Sequence, residues 1–529
     1  MKLNWLDKIG NWNPQLLREL KKRLKLRNIL LASAISVLGQ CVILLWSPDP
    51  FISLSIIGIF VLLVAGTFLL ISDLATEQRR GTLHFTHLSP QSTESILTGK
   101  LLGVPILIYL VAVVAVPFHL WTGVAAKIPL GQILTFYGVL AASCIFFYSA
   151  ALLYGIVSSW LGMFQVWLGS GTVVAFLMLT KGISTISYSN STTWLKLLNP
   201  LCLIPDLSAS SYNESFAIGL EGFRWFNLPL GDSVLTTVGF VLFNYGILIR
   251  FIWQALHRCF RDPNATMLSK QQSYLLTVCF TILTIGCANY RPIENRSPYA
   301  EPLSENLLAL SLLNLLLFLN LIAAVTPHHQ TLQDWLRYRH KRGSNSKRFG
   351  HSWLVKDLIW GEKSPAVVAI ALNVVIVIIP LALFILLSPA QSATGAHPFV
   401  KVNENRTGAL FGLAVEASLM MIYASIAQLL LFRRTQQQTF WTAVTLGAVI
   451  LLPPTIFAVL RIYPFAPLRR LLLSIAFPFF PFFSLLGTEK IFLLILAQGL
   501  ILVLLNLQLT RQLRQASKQI KDSSQVTSC

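Results

Sequence analysis

Apolar and polar residues follow one another along this chain in long blocks, not in alternation. Twelve nearly charge-free runs, each close to the roughly 20 residues that a helix needs to cross a bilayer, cover residues 29–47, 51–72, 101–119, 132–158, 160–180, 233–255, 273–289, 306–326, 365–388, 408–432, 439–460 and 489–507. Such runs predict helices, because a membrane-spanning barrel would show short segments of period two instead. The order of runs and polar breaks repeats once. In each half a basic amphipathic segment leads into two spans, a longer polar elbow comes next, and four more spans complete the half. The expected fold is therefore all-α: a polytopic membrane protein of about twelve transmembrane helices in two six-helix halves with cytoplasmic coupling elbows. The expected organisation is an interfacial helix in 1–28, a first six-span domain in 29–256, a basic connector in 257–272, a second and divergent six-span domain in 273–507, and a tail in 508–529.

The most informative polar block is 73–100, wedged between the second and third runs and carrying Asp73, Glu77, Arg79, Arg80, Glu94 and Lys100. Glu77 and Arg80 are three residues apart, so on a helix they share a face and can pair with each other or with a partner's charge. Gly81 permits a break, Thr82 can cap the next segment, and Ser89-Pro90 starts a second turn from which Ser92, Thr93 and Glu94 lead back toward the membrane. This spacing predicts two short interfacial helices around a bend, with Glu77 and Arg80 exposed. The corresponding block of the second half, 327–364, lacks that string. There Trp335, Leu336 and Tyr338, then Leu354, Leu358 and Ile359, predict apolar stripes beside basic faces. They suit an interfacial helix, a degenerate docking site or an anchor to anionic lipid through Arg337, Arg339, Lys341 and Arg342. A further block, 463–486, is apolar and aromatic but is interrupted by Pro464, Pro467, Pro478 and Pro481 and carries Arg469 and Arg470. It is expected to form a re-entrant or interfacial hairpin rather than a thirteenth span.

Composition and charge narrow the class. Hydrophobic residues make up 54% of 529 positions, charged residues 12%, and the mean hydropathy is +0.65, values foreign to a large soluble enzyme. The net charge of +20 does not signal nucleic acid, because 28 of the 41 Lys and Arg fall in segments that share one side when the amino terminus is cytoplasmic. That bias predicts both termini in the cytoplasm. No cleavable signal is expected ahead of the first span, which should remain as an anchor. The seven cysteines are scattered and imply no disulfide or metal framework.

Catalytic chemistry is poorly represented. There is no Gly-x-x-x-x-Gly-Lys-Ser/Thr, and no polar block is long enough to fold a nucleotide-binding domain. The histidines, among them His84, His87, His328 and His329, make no metal-ligand pattern, so neither a catalytic residue nor a metal site is assigned. Within the spans the one clear acid is Glu416, with Asn244, Asn314, Asn320 and Asn373 as polar company. An intramembrane carboxylate is a candidate functional site by default, the alternative being a partly hydrated position near the outer end of its helix.

Two strings carry a family resemblance. Near the start, Asn13-Pro14-Gln15-Leu16-Leu17-Arg18-Glu19-Leu20 leads into Lys21-Lys22-Arg23. In the elbow stand Glu77, then Arg80-Gly81-Thr82-Leu83, then Leu88-Ser89-Pro90, then Ile96-Leu97-Thr98-Gly99-Lys100-Leu101. Together they resemble the membrane-spanning subunits of type-2 ATP-binding-cassette (ABC) exporters. The resemblance implies an N-terminal interfacial helix containing Asn13, Pro14, Arg18 and Glu19. It also implies an ATPase-coupling elbow containing Glu77, Arg79, Arg80, Gly81, Thr82, Leu83, Ser89 and Pro90. It further implies a permease that is not itself an enzyme, with Mg-ATP bound and hydrolysed on a separate ABC ATPase subunit, in a bacterial plasma (inner) membrane. Membrane lipids are expected partners and nucleic acid is not. One chain acting as a pseudo-dimer and two permease chains pairing both remain open. The few charges in the bundle suggest a hydrophobic or lipid-like cargo. A rival reading is a proton- or ion-coupled secondary transporter using Glu416. A membrane-embedded lipid-modifying enzyme ranks last, since no paired acids gather at either interface.

Overall fold

In the computed structural model, residues 4–82, 90–186, 191–204, 223–262, 264–288, 302–327, 329–345, 350–387, 402–432, 438–460 and 488–526 are described. Among them every extended regular element is a helix, and eleven helices are long and apolar enough to cross a membrane. This is the architecture of a multi-pass helical membrane protein. The chain divides into two compact units, Met1–Pro263 and Asn264–Cys529.

The first unit begins with two short helices, α1 (Asn4–Trp12) and α2 (Pro14–Arg23). They break at Asn13 because its backbone is extended, its side chain accepts a hydrogen bond from the Leu16 amide, and Pro14 takes the first helical position. The first long helix, α3 (Leu26–Trp46), buries only Ala32 and Ser36 and lies at the edge of the unit. The second run is continuous from Pro50 to Arg79. It is divided into α4 (Pro50–Phe60) and α5 (Gly66–Arg79) by a π turn, Val61–Ala65. A π turn disturbs the regular backbone ladder, and the Tyr148 hydroxyl donates to the Leu62 carbonyl there at 2.6 Å. A Cβ at Gly66 would overlap the Tyr148 hydroxyl, so a residue without a side chain is what lets that ring approach.

Beyond the elbow come α6 (Thr93–Gly103) and α7 (Ile106–Ala125). They are separated at Val104 and Pro105 because the proline has no amide to continue the ladder. The unit is completed by α8 (Leu130–Val157), α9 (Phe164–Ile186), the short α10 (Thr193–Leu197) and α11 (Val234–Arg261). Its core joins Leu63, Leu70, Ile71 and Leu74 to Leu97 of α6 and to Tyr148 and Leu152 of α8. Between helices in lipid this core acts through close packing more than through exclusion of water.

In the second unit, α12 (Lys270–Gly286) opens with a reciprocal cap in which Ser269 and Gln272 satisfy each other's backbone amides. It corresponds to the seventh predicted span but is 17 residues long, about 25 Å. That length explains why eleven helices, not twelve, have a full span's length. The other helices are α13 (Pro302–Val325), α14 (His329–Asn345), α15 (Gly350–Trp360), α16 (Val367–Leu387), α17 (Val402–Phe432), α18 (Gln438–Val459) and α19 (Thr488–Val526). The central helix is α17, which packs against α13, α16, α18 and α19. The predicted stripes of 327–364 are partly realised. Leu332, Trp335 and Leu336 are buried with Phe432 and packed by Leu358 and Leu513, whereas Tyr338 is exposed. The hairpin expected over 463–486 lies outside the described residues.

Candidate functional site

The residues singled out near the amino terminus and in the elbow meet at one place. The carboxylates of Glu19 on α2 and of Asp73 and Glu77 on α5 lie within 4.8 Å of one another. Lys100, on α6, is buried between the last two, with its ammonium 2.8 Å from Asp73 Oδ2 and 2.8 Å from Glu77 Oε1. Arg23 donates to Asp73 Oδ1 at 2.8 Å and to Glu19 Oε2 at 3.2 Å, and Lys22 reaches Asp73 Oδ1 at 3.2 Å. Three acids therefore face three bases. Burial pushes the Lys100 ammonium toward its neutral form, but Asp73 and then Glu77 outweigh that and hold its pKa above the ordinary lysine value. Three carboxylates are also a suitable donor set for a hard cation. Here the Lys100 ammonium already stands between two of them, and a metal ion would meet a like charge.

Neutral contacts extend the junction. The Asn13 side chain caps α2 and also donates to the Ser95 carbonyl at 2.8 Å and to the Thr98 hydroxyl at 3.2 Å, both on α6. Gly99 and Gly103 make the approach of α2 possible. A Cβ on Gly99 would lie 2.8 Å from the Leu16 amide nitrogen, and one on Gly103 would lie 2.6 Å from Glu19 Cβ. On the other side of α5, Gln78 donates to the Gly155 carbonyl at 2.9 Å and accepts from Gln165 at 3.2 Å. The end of α5 is thus fastened to α2, α6, α8 and α9.

Several expectations are corrected. Glu77 is not on an exposed face and does not pair with Arg80; it is 8% exposed, and its ion-pair partner among the described residues is Lys100. Its other oxygen, Oε2, is buried without a hydrogen-bond partner among the described residues. The stretch before the bend is not a separate interfacial helix, because α5 runs on unbroken from the second span. The Thr82 hydroxyl donates back to the Glu77 carbonyl at 3.3 Å, and the segment it is expected to cap lies outside the described residues. Gly81 does end the helix, with φ of +68° and its amide bonded to the Gln78 carbonyl, a backbone shape that favours glycine. Ser92 caps α6 by accepting from the Ser95 amide.

Arg79, Arg80 and Pro90 are exposed around the bend, as are Pro14 and Arg18 on α2. Leu83, His84, His87 and Ser89 lie outside the described residues. Lys100, Asp73, Gly99 and Gly103 form the junction with Glu77, yet spacing along the chain assigns none of them a role. A lysine within one turn of an apolar run, with two acids across the elbow, is the signal that marks them.

Glu416 forms a separate site in the second unit. It is 4% exposed, which excludes the partly hydrated alternative. Ser311 and Asn314 of α13 donate to its two oxygens. Also in this unit, Lys270 donates to the Leu358 carbonyl at 2.7 Å, the Ser364 hydroxyl at 2.6 Å and the Pro365 carbonyl at 3.2 Å. Compared with known proteins, the chain matches no protein-family model, no curated protein and no solved structure.

Proposed function

We propose that this chain is the permease subunit of an ATP-driven exporter, resembling the type-2 ABC class. Its two six-span halves move a hydrophobic or lipid-like cargo, with α12 serving as the short seventh span. Both termini face the cytoplasm of a bacterial cell. A separate ABC ATPase, carrying the Mg-ATP, docks on the elbow of the first unit.

The observation that supports this reading is the junction at the root of the elbow. Asp73, Glu77 and Lys100 tie the second span, the return helix and the amphipathic α2 together through buried ion pairs. A push on the exposed tip at Arg79 and Arg80 is then passed to three elements at once instead of being lost in a soft loop. Closing such a lever shifts the bundle between two arrangements only if the ATPase binds them with different affinity. The π turn at Val61–Ala65 lies on the same helical run and provides a place for that run to bend.

The test is purification of the tagged chain in lipid nanodiscs with identification and counting of bound proteins by mass spectrometry and native mass. The expected result is an ABC ATPase that is lost when Arg79→Glu and Arg80→Glu are combined, while the permease stays folded. A chain that transports without any ATPase would overturn the reading.

A further inference from the structure

Described ion pairs hold Asp73, Glu77 and Lys100 at the elbow's root, but one buried acid in the second unit has no ion-pair partner among the described residues. Glu416 Oε2 accepts from the Ser311 hydroxyl at 2.8 Å, and Oε1 accepts from the Asn314 amide at 3.3 Å. The two donors are three residues apart on α13 and so share a face, which holds the carboxyl group from both sides. Each is 2% exposed.

None of the elements packed against α17 brings a cation to this clamp among the described residues. By sequence, α16 and α18 contain no Asp, Glu, Lys, Arg or His. On α13 the one ionisable residue is Glu305, two turns before Ser311 and of the wrong sign. On α19, Gln498 meets α17 through Ser418. Glu489 and Lys490 precede Gln498 by about two turns, some 12 Å along the helix, and Arg511 lies about 20 Å beyond it. On α17 itself Glu404 and Arg406 lie about 18 and 15 Å before Glu416 and Tyr423 about 10 Å after it.

With no cation beside it among the described residues, an ionised carboxylate here would rest on two neutral donors, which do not replace its hydration. A neutral carboxylic acid needs one acceptor for its own proton, and the Ser311 hydroxyl supplies it by turning so that the acid's O–H donates to it, while Oε1 goes on accepting from the Asn314 amide. The side chain is also too enclosed to admit a larger ligand without movement of α13 or α17. We propose that Glu416, clamped by Ser311 and Asn314, is a proton-binding site in the membrane interior of the second unit. The proton is held while α13 packs on α17 and leaves only when the two helices part and water enters. Its occupancy is thereby linked to that packing. The inference rests on the chain alone and holds whether or not an ATPase drives it.

Infrared spectroscopy of the purified chain in nanodiscs tests it. At about pH 7, where an exposed glutamate has lost its proton, the chain should show the carbonyl band of a hydrogen-bonded carboxylic acid. Glu416→Gln, which keeps shape and neutrality, should remove that band and leave the helical amide bands in place. Ser311→Ala should shift its frequency without removing it, an assignment that stands even where Glu416→Gln fails to fold. Absence of an acid band from the folded chain at about pH 7, a band that survives Glu416→Gln, or one that Ser311→Ala leaves unmoved would each overturn the proposal.

Discussion

The two units fasten the same kind of joint with different chemistry. In each, the segment entering the unit's first helix of the bundle is tied to the segment that returns from the elbow. In the first unit charge against charge holds α5 to α2, through Lys22 and Arg23 on Asp73, and to α6, through Lys100 between Asp73 and Glu77. In the second, Lys270 at the start of α12 is caught by two carbonyls and one hydroxyl at the end of α15 and beyond. An ammonium has three donors, and Lys270 uses all of them on neutral acceptors. The first joint gains mutual attraction and fails if one charge is removed. The second carries its charge at a cost, because neutral oxygens compensate lost hydration less well.

Removing each lysine is the strongest way to break this comparison. Lys100→Met leaves Asp73 and Glu77 buried without their shared cation, and should cost about 3–5 kcal/mol of stability. Lys270→Met leaves neutral acceptors unpaired and should cost about 1–3 kcal/mol. Thermal unfolding in one detergent ranks the two, and equal losses would erase the distinction. Combining Lys100→Met with Asp73→Asn and Glu77→Gln should recover part of the first loss.

Next in size, Gly103→Ala places a methyl group against Glu19 and should destabilise the chain by about 1–3 kcal/mol. The same substitution at Gly171, where a Cβ would meet nothing within 4 Å, serves as the control. If the two behave alike, α2 is not held closely against α6.

Alkaline pH separates the joints by sign. Burial pushes the Lys270 ammonium down to about 8, against the pull of Asp357. The folded state then loses this proton before the unfolded one does, so stability should rise between about pH 8 and the ordinary lysine value near about 10.4. Lys100 is held above that ordinary value, so its contribution is fully present below it and is lost only as pH rises through the higher folded value. Chemical denaturation from about pH 8 to above the ordinary lysine value, with Lys270→Met and Lys100→Met as references, should show stability rising over the lower part through Lys270 and falling over the upper part through Lys100. Slopes of one sign would mean the two cages stabilise the ammonium alike.

The smallest effect sharpens the comparison from its edge. Lys22 belongs to the same cluster, but its side chain is 58% exposed. Solvent screens such a pair, so Lys22→Ala should change stability by about 0–1 kcal/mol. A loss as large as that of Lys100→Met would move the centre of the cluster outward.

Much of the fold is legible from the chain because lipid imposes one rule on every spanning segment: its backbone must be hydrogen-bonded within itself. Runs of about 20 apolar residues thus mark their own helices, and Asn13-Pro14, Ser92 and Gly81 mark helix ends by local geometry. The seventh run is the exception in length, because its described helix stops at Gly286. The π turn at Val61–Ala65 carries no local mark; it is recognised by what Tyr148, 86 positions away from Leu62 in sequence, does to it.

The candidate sites divide in the same way. Sequence spacing put Glu77 beside Arg80 because the two are three residues apart on one helix, and it singled out Glu416 because acids are rare in apolar runs. By itself, then, the sequence determined where helices form, where they end and which residues are chemically out of place. Only the tertiary structure decided which charges meet. It buried Glu77 against Lys100, a residue on a different helix, and left Arg79 and Arg80 at the surface. It also enclosed Glu416 with Ser311 and Asn314 and no described base. The physical reason is that helix formation depends on interactions a few residues apart, whereas the state of a buried charge depends on partners that packing brings in from distant parts of the chain.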